Sequence, residues 1–158
     1  MGRHVVVITV SDGVSAGERE DGSGEALESV LRGAGYEVGR DLVSDDFEEI
    51  QASILRACAT AELVVTTGGT GFGLRDVTPE ATVALLERQA PGLVQAMIAK
   101  GLESTPMAAL TRAAAGTIGT TLVINLPGSP KGATENLESV LELLPHALQL
   151  LSGDNRHH

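Results

Sequence analysis

Only one cysteine, one tyrosine, two phenylalanines and no tryptophan occur in these 158 residues. The lone thiol, Cys58, excludes an internal disulfide and suits a reducing compartment. Within the apolar stretch ILRACATAELVV it reads as a small buried hydrophobe rather than a nucleophile. With Tyr36, Phe47 and Phe72 as the whole aromatic set, no stacking platform for single-stranded nucleic acid is available. Basic side chains are scarce as well. Eleven Lys and Arg against 21 Asp and Glu leave a formal charge of -10, without the positive footprint that nucleic acid or an anionic membrane surface needs. No apolar run approaches a membrane span. The first apolar segment is short and lacks a small-residue cleavage site, so it is not read as a signal peptide, and a cytoplasmic location is expected.

Several catalytic signatures are also missing. No G-x-x-x-x-G-K-[ST] occurs and no G-x-G-x-x-G follows a strand, which disfavours P-loop and dinucleotide enzymes. His4, His146, His157 and His158 lack the spacing of zinc ligands. Gly13-Val14-Ser15-Ala16-Gly17 matches a nucleophile elbow, but a polar run (18–21) follows where an elbow turns into a helix. A serine hydrolase is therefore disfavoured, and Ser15 reads as a loop residue.

What the chain has is glycine: nineteen in all, ten of them in three clusters. Each cluster follows a β-branched apolar run: HVVVITV before residues 13–24, ELVVTT before 68–73, and TLVINLP before 128–132. Glycine weakens regular elements, so such clusters mark sharp bends or close approach to a ligand. Strands are expected over residues 4–11, 36–43 and 62–67, with a short strand pair within 112–126. Helices are expected over 23–32, 45–59, 78–89, from Pro91 through Ile98, and from Ser129-Pro130 along the stripe Leu137, Val140, Leu141, Leu144, Leu148 and Leu151. Thr78 is the expected cap of the 78–89 helix. Alternating strands and helices predict a single α/β domain, a three-layer α/β/α arrangement with a mostly parallel sheet, over residues 1–153 and followed by a disordered tail, 154–158. The glycine loops then lie at the carboxyl ends of the strands, where such sheets bind ligands. They point to one site for an anionic, phosphate-bearing ligand.

The segment Thr66-Thr67-Gly68-Gly69-Thr70-Gly71 supplies backbone N–H groups and small hydroxyls without bulk, and its glycines exceed what a turn needs. Asp12, Asp45 and Asp76 each follow a strand, so all three can project from one sheet edge, and two such carboxylates suffice to hold Mg²⁺ against phosphates. Asp45 and Asp76 each have a simpler local reading. Asp45-Asp46-Phe47-Glu48 has the spacing of a capping box, and Asp76 has the position for an Asx turn towards Thr78. Asn125-Leu126-Pro127-Gly128-Ser129-Pro130-Lys131 makes a stiff turn feeding a helix N-terminus, a natural anion site; Lys131 there opposes the helix dipole unless it meets a ligand.

Taken in order, TVSD, DGSG, TTGGTG followed by RDVTPEAT, and NLPGSPKG resemble one family over about residues 4–150. The chain is similar to molybdopterin adenylyltransferases of the molybdenum-cofactor pathway, the group that includes the G domains of gephyrin and its plant counterpart. The resemblance implies a three-layer fold assembled as a homotrimer. It implies transfer of AMP from Mg-ATP to the terminal phosphate of molybdopterin, with release of pyrophosphate, and a molybdenum-insertion enzyme as partner downstream. It assigns Asp45 and Asp76 to Mg²⁺ and catalysis. Ser11, Asp12, Thr67, Gly68, Gly69, Thr70, Gly71, Arg75, Thr111, Arg112, Asn125, Pro127, Gly128, Ser129 and Lys131 become substrate-binding residues. Two departures concern the contacts: Gly13 stands where an arginine or small polar residue is common, and Thr111 where serine often precedes the arginine. The alternatives on the same scaffold are a paralogue that binds molybdopterin or nucleotide without catalysis, acting as carrier or scaffold, and a different nucleotide-dependent enzyme such as a pyrophosphatase.

Overall fold

The computed structural model describes residues 3–153, so the predicted tail with its terminal histidines lies outside the described residues. Six strands, β1 (His4–Val10), β2 (Glu37–Val43), β3 (Leu63–Thr67), β4 (Arg88–Gln89), β5 (Ala115–Ile118) and β6 (Thr121–Leu126), form one sheet in the order β2-β1-β3-β6-β5-β4. β2, β1, β3 and β6 are parallel; β5 and β4 extend one edge by antiparallel pairing. The helices are α1 (Asp12–Ser15), α2 (Gly22–Gly33), α3 (Phe47–Cys58), α4 (Thr78–Val83), α5 (Pro91–Leu102), α6 (Pro130–Leu141) and α7 (Leu144–Leu151), with a 3-10 turn at Pro106–Leu110.

The central strands are apolar on both faces, and side-chain alternation divides them between two cores. Val5, Val7, Leu63, Val65, Leu122, Ile124 and Leu126 meet Leu27 and Leu31 of α2, Met97 of α5, Leu137 of α6 and Leu148 of α7. Their neighbours Ile8, Val10, Val64 and Val123 meet Ile50 and Ile54 of α3 and Ala81 of α4. The result is the predicted three-layer α/β/α fold. Because β1 leads through α2 to β2 on one side, and β2 through α3 back to β3 on the other, the connections diverge beside β1. A crevice opens there, outside the carboxyl ends of the strands.

Three sequence expectations are corrected. The helix predicted over 78–89 ends at Val83, and Arg88–Gln89 joins the sheet instead. The free edge of β5 takes those backbone groups: Glu87 N donates to Thr117 O at 2.8 Å and Ala90 N to Ala115 O at 2.8 Å. The last helix is two, because Pro145 lacks an N–H and clashes with a preceding turn; it sits in the first turn of α7 instead. The apolar stripe survives the break, since Leu137, Val140, Leu144 and Leu148 share one core. Finally, the first glycine-rich loop opens as a short helical turn, α1, whose N-cap Ser11 accepts from Val14 N at 3.2 Å.

Candidate active site

Asp12 follows β1 and Asp45 follows β2, two adjacent parallel strands, and the two residues clasp each other. Asp12 N donates to Asp45 Oδ2 and Asp45 N to Asp12 Oδ1, both at 3.0 Å. Arg75, from the loop after β3, donates from Nε and one terminal nitrogen to both oxygens of Asp12 at 2.9 Å. Those guanidinium bonds, with the Asp45 N–H, hold the Asp12 carboxyl down at about 2. Asp45 is shifted the other way. Partial burial pushes its pKa up, and the neighbouring Asp12 and Asp76 carboxylates add to that against the Asp12 N–H and Arg75.

The capping-box reading of Asp45 fails because its neighbour does the capping. Asp46 is the N-cap of α3, its Oδ2 accepting from Glu49 N at 3.0 Å. Asp45 is thereby left facing the crevice. Asp46→Ala is expected to cost about 1 kcal/mol through the lost cap, a fall of about 2–4 °C in melting temperature. Turnover should stay unchanged, which thermal melts and a rate assay on one preparation would check.

After β3 the chain turns through Gly68 (φ 106°) and Gly69 (φ 70°), a region side chains rarely enter. The turn is pinned from three sides. Thr67 Oγ1 donates to Pro127 O at 2.7 Å, Thr78 Oγ1 to Gly68 O at 2.9 Å, and Gly68 N to Leu126 O at 3.1 Å. Thr78 is therefore no cap: the N-cap of α4 is Val77, without a side-chain bond. Asp76 makes its local bond backwards, accepting from Gly73 N at 2.9 Å rather than turning towards Thr78. Arg112 staples both ends of this loop. Its backbone N donates to Thr70 O at 2.8 Å, its Nε to Gly71 O at 2.7 Å and a terminal nitrogen to Asp76 O at 2.8 Å, while it also pairs with Glu80.

Two chambers meet at this loop. A polar one of about 560 Å³ includes Ser11, Arg19, Ser23, Asp45, Thr67 and Gly68 in its wall. A second, of about 390 Å³, is mainly apolar, with Met97, Ile98, Met107, Leu110 and Pro127 beside Thr111. Gly69, Asp76, Gly128 and Ser129 border both. Thr70 and Gly71 line the apolar chamber only. The remaining residues expected to bind substrate line neither. Asp12, Arg75 and Arg112 act on the loops, and Lys131 is exposed. Asn125 is fully buried, donating from Nδ2 to Thr66 and Thr82 Oγ1 at 2.9 and 3.0 Å and accepting from Ala114 N at 3.0 Å. Its place is structural.

The sequence reading did not single out Arg19 or Ser23, nor the apolar wall from α5 and the 3-10 turn. DGSG was the available signal for Ser23: Asp21 caps α2 by accepting from Gly24 N at 2.9 Å, also accepts from Thr9 Oγ1 at 2.7 Å, and is paired with Arg40. The α5 wall carried no signal, because Met and Ile at helical spacing look the same whether they face core or cavity.

Among the described residues, no group of three or more His, Cys, Asp or Glu forms a metal cage. The donor set of Asp45 and Asp76 fits Mg²⁺, which takes hard oxygens and usually one or two carboxylates, the rest being water and phosphate.

The family described as "Probable molybdopterin binding domain" matches residues 6–146. The molybdopterin adenylyltransferase of Helicobacter pylori (strain J99 / ATCC 700824) is 39% identical over 158 residues, covering 96% of this chain and 89% of that protein. Its counterpart in Escherichia coli (strain K12) is 34% identical over 164 residues, covering 93% and 84%. Among solved structures, the molybdopterin biosynthesis enzyme MoaB of Thermus thermophilus superimposes with a TM-score of 0.88 at 50% identity, covering 96% of this chain and 97% of that one.

Proposed function

The chain belongs to the molybdopterin-binding family of molybdenum-cofactor biosynthesis, and on that premise we propose that it is a molybdopterin adenylyltransferase with ATP as donor. The observation that carries the reading is the junction of a polar and an apolar chamber at Asp76, with Asp45 in the polar wall beside it. Two bulky substrates can enter from opposite sides and bring their phosphates together over the glycine loop.

In the reaction, an oxygen of the molybdopterin phosphate forms a bond to the α-phosphorus of ATP. The bond from that phosphorus to the bridging oxygen breaks, and pyrophosphate leaves with the electron pair. The nucleophile is already ionised, so no general base is needed, in keeping with chamber walls that hold no histidine among the described residues. The obstacle is repulsion and misalignment of two polyanions. Asp45 and Asp76 would hold Mg²⁺, which supplies charge neutralisation and alignment of the phosphates. Backbone N–H groups of the glycine loop and the N-terminus of α6 accept negative charge without a side chain in the way. The Asp12–Arg75 pair positions Asp45 through the Asp12 backbone, and Arg112 positions Asp76 through its carbonyl.

Purified protein given molybdopterin, ATP and Mg²⁺ should release pyrophosphate in proportion to adenylylated product, and EDTA should stop it. Tight molybdopterin binding without pyrophosphate would support the carrier reading instead. A homotrimer in the cytoplasm, handing its product to a molybdenum-insertion enzyme, completes the proposal.

A further inference from the structure

Gly17 (φ 76°) reverses the chain after α1, and Glu18 N and Arg19 N both donate to Gly13 O, at 2.8 and 3.3 Å. The Arg19 side chain is thereby laid across Gly13. A Cβ on Gly13 would stand 2.6 Å from Arg19 Nε and 3.3 Å from Cζ, so the guanidinium fills the place of a side chain at position 13. From there a terminal nitrogen donates to Ser11 Oγ at 2.8 Å.

This pair offers donors and no acceptor. Ser11 Oγ also accepts from Val14 N at 3.2 Å, so both its lone pairs are engaged and its proton is left for an acceptor outside the chain. The guanidinium has N–H groups to spare as well. Arg40, Arg75 and Arg112 are ion-paired with Asp21, Asp12 and Glu80, whereas Arg19 makes no ion pair among the described residues. Such a set matches the oxygens of a phosphate. Arg19 is also the only Lys or Arg lining the polar chamber, whose carboxylates are Glu20, Asp21, Asp45 and Asp76. A phosphate that enters among those carboxylates meets its compensating side-chain charge there.

We infer that Arg19 binds a phosphate oxygen of a substrate in the polar chamber, and that Gly13 lacks a side chain so that the guanidinium can lie there. The inference rests on the adenylyltransferase reading, which names ATP and molybdopterin as the phosphate carriers, and adds a substrate-binding residue to it. Arg19 is exposed, so its removal leaves the core untouched. The test measures pyrophosphate release at varied ATP and at varied molybdopterin, with the parent, Arg19→Gln, Gly13→Ala and the double variant. Arg19→Gln should raise one of the two KM values by about 10-fold. Which one rises tells whether the triphosphate or the molybdopterin phosphate is held. Arg19→Lys should recover part of the loss, because an ammonium keeps the charge without the fork. Gly13→Ala should raise the same KM by displacing the guanidinium, yet add nothing to Arg19→Gln, as expected of two residues serving one contact. Both KM values of Arg19→Gln within about 2-fold of the parent's overturn the inference. So does a Gly13→Ala defect that persists in full in the double variant. A parent that binds ATP and molybdopterin but releases no pyrophosphate overturns the adenylyltransferase reading alone. Dissociation constants of the same variants then replace KM, with the same changes expected.

Discussion

Asp45→Asn is expected to abolish turnover and, in metal-free buffer, to raise the melting temperature. The carboxylate is partly buried and faces Asp12 and Asp76, so its charged form is disfavoured in the folded state and its pKa lies above the ordinary 3.8. A raised carboxyl pKa means that folding is opposed by this group wherever it is ionised. The penalty is fully present above the folded pKa and disappears below the unfolded one. Asparagine keeps an oxygen that can accept from Asp12 N and removes the charge. Discounted for partial exposure, the gain is about 0.5 kcal/mol, or about 1–2 °C. It should be present at neutral pH and vanish as the pH falls below about 4, where the parent carboxyl is protonated as well. Turnover should fall by at least about 100-fold. A variant that is both inactive and more stable separates a functional carboxylate from a structural one; a loss of stability at neutral pH would mean that the Asp45 carboxylate serves the clasp with Asp12.

Gly69→Ala is expected to be among the most damaging single methyls at the described residues. At φ 70°, Gly69 occupies a conformation that costs a side chain about 1–3 kcal/mol. A Cβ there would collide with Thr78 Oγ1 and lie 3.1 Å from Asp45 Oδ1. Relief requires moving Thr78, which holds the Gly68 carbonyl, or Asp45 itself. Destabilisation of about 2–4 kcal/mol is expected, a fall of roughly 5–15 °C, with activity lost even below the melting point. Gly33→Ala provides the contrast. Gly33 is helical and a Cβ there meets nothing within 4 Å. That change should be neutral or stabilise by up to about 1 kcal/mol.

The layered fold could be read from the chain because its signals are local. Unbroken β-branched runs such as Val5 to Val10 mark strands buried on both faces, and Pro79, Pro91 and Pro130 mark helix starts. The misreadings came where tertiary contacts overrule local pattern. Residues 84–89 have helical composition, yet the open edge of β5 claims the stretch from Glu87 onward. Which of two adjacent aspartates caps α3 depends on backbone geometry at one residue, and spacing alone chose the wrong one. Thr78 looks like a cap until the Gly68 carbonyl is seen above it. The site's loops were legible because glycine has so few other reasons to cluster. The second chamber was hidden, since Met97, Met107 and Asn136 differ from core residues only in what lies opposite them.

The central claim is that phosphate chemistry happens where the two chambers meet, on Asp45 and Asp76. Its most direct test is a single-turnover assay with ATP labelled at the α-phosphate, excess protein and molybdopterin. The parent should move the label onto molybdopterin while unlabelled pyrophosphate is released. Asp76→Ala should transfer none, although its melting curve stays cooperative. Label transfer by folded Asp76→Ala at the parent's rate would contradict the account.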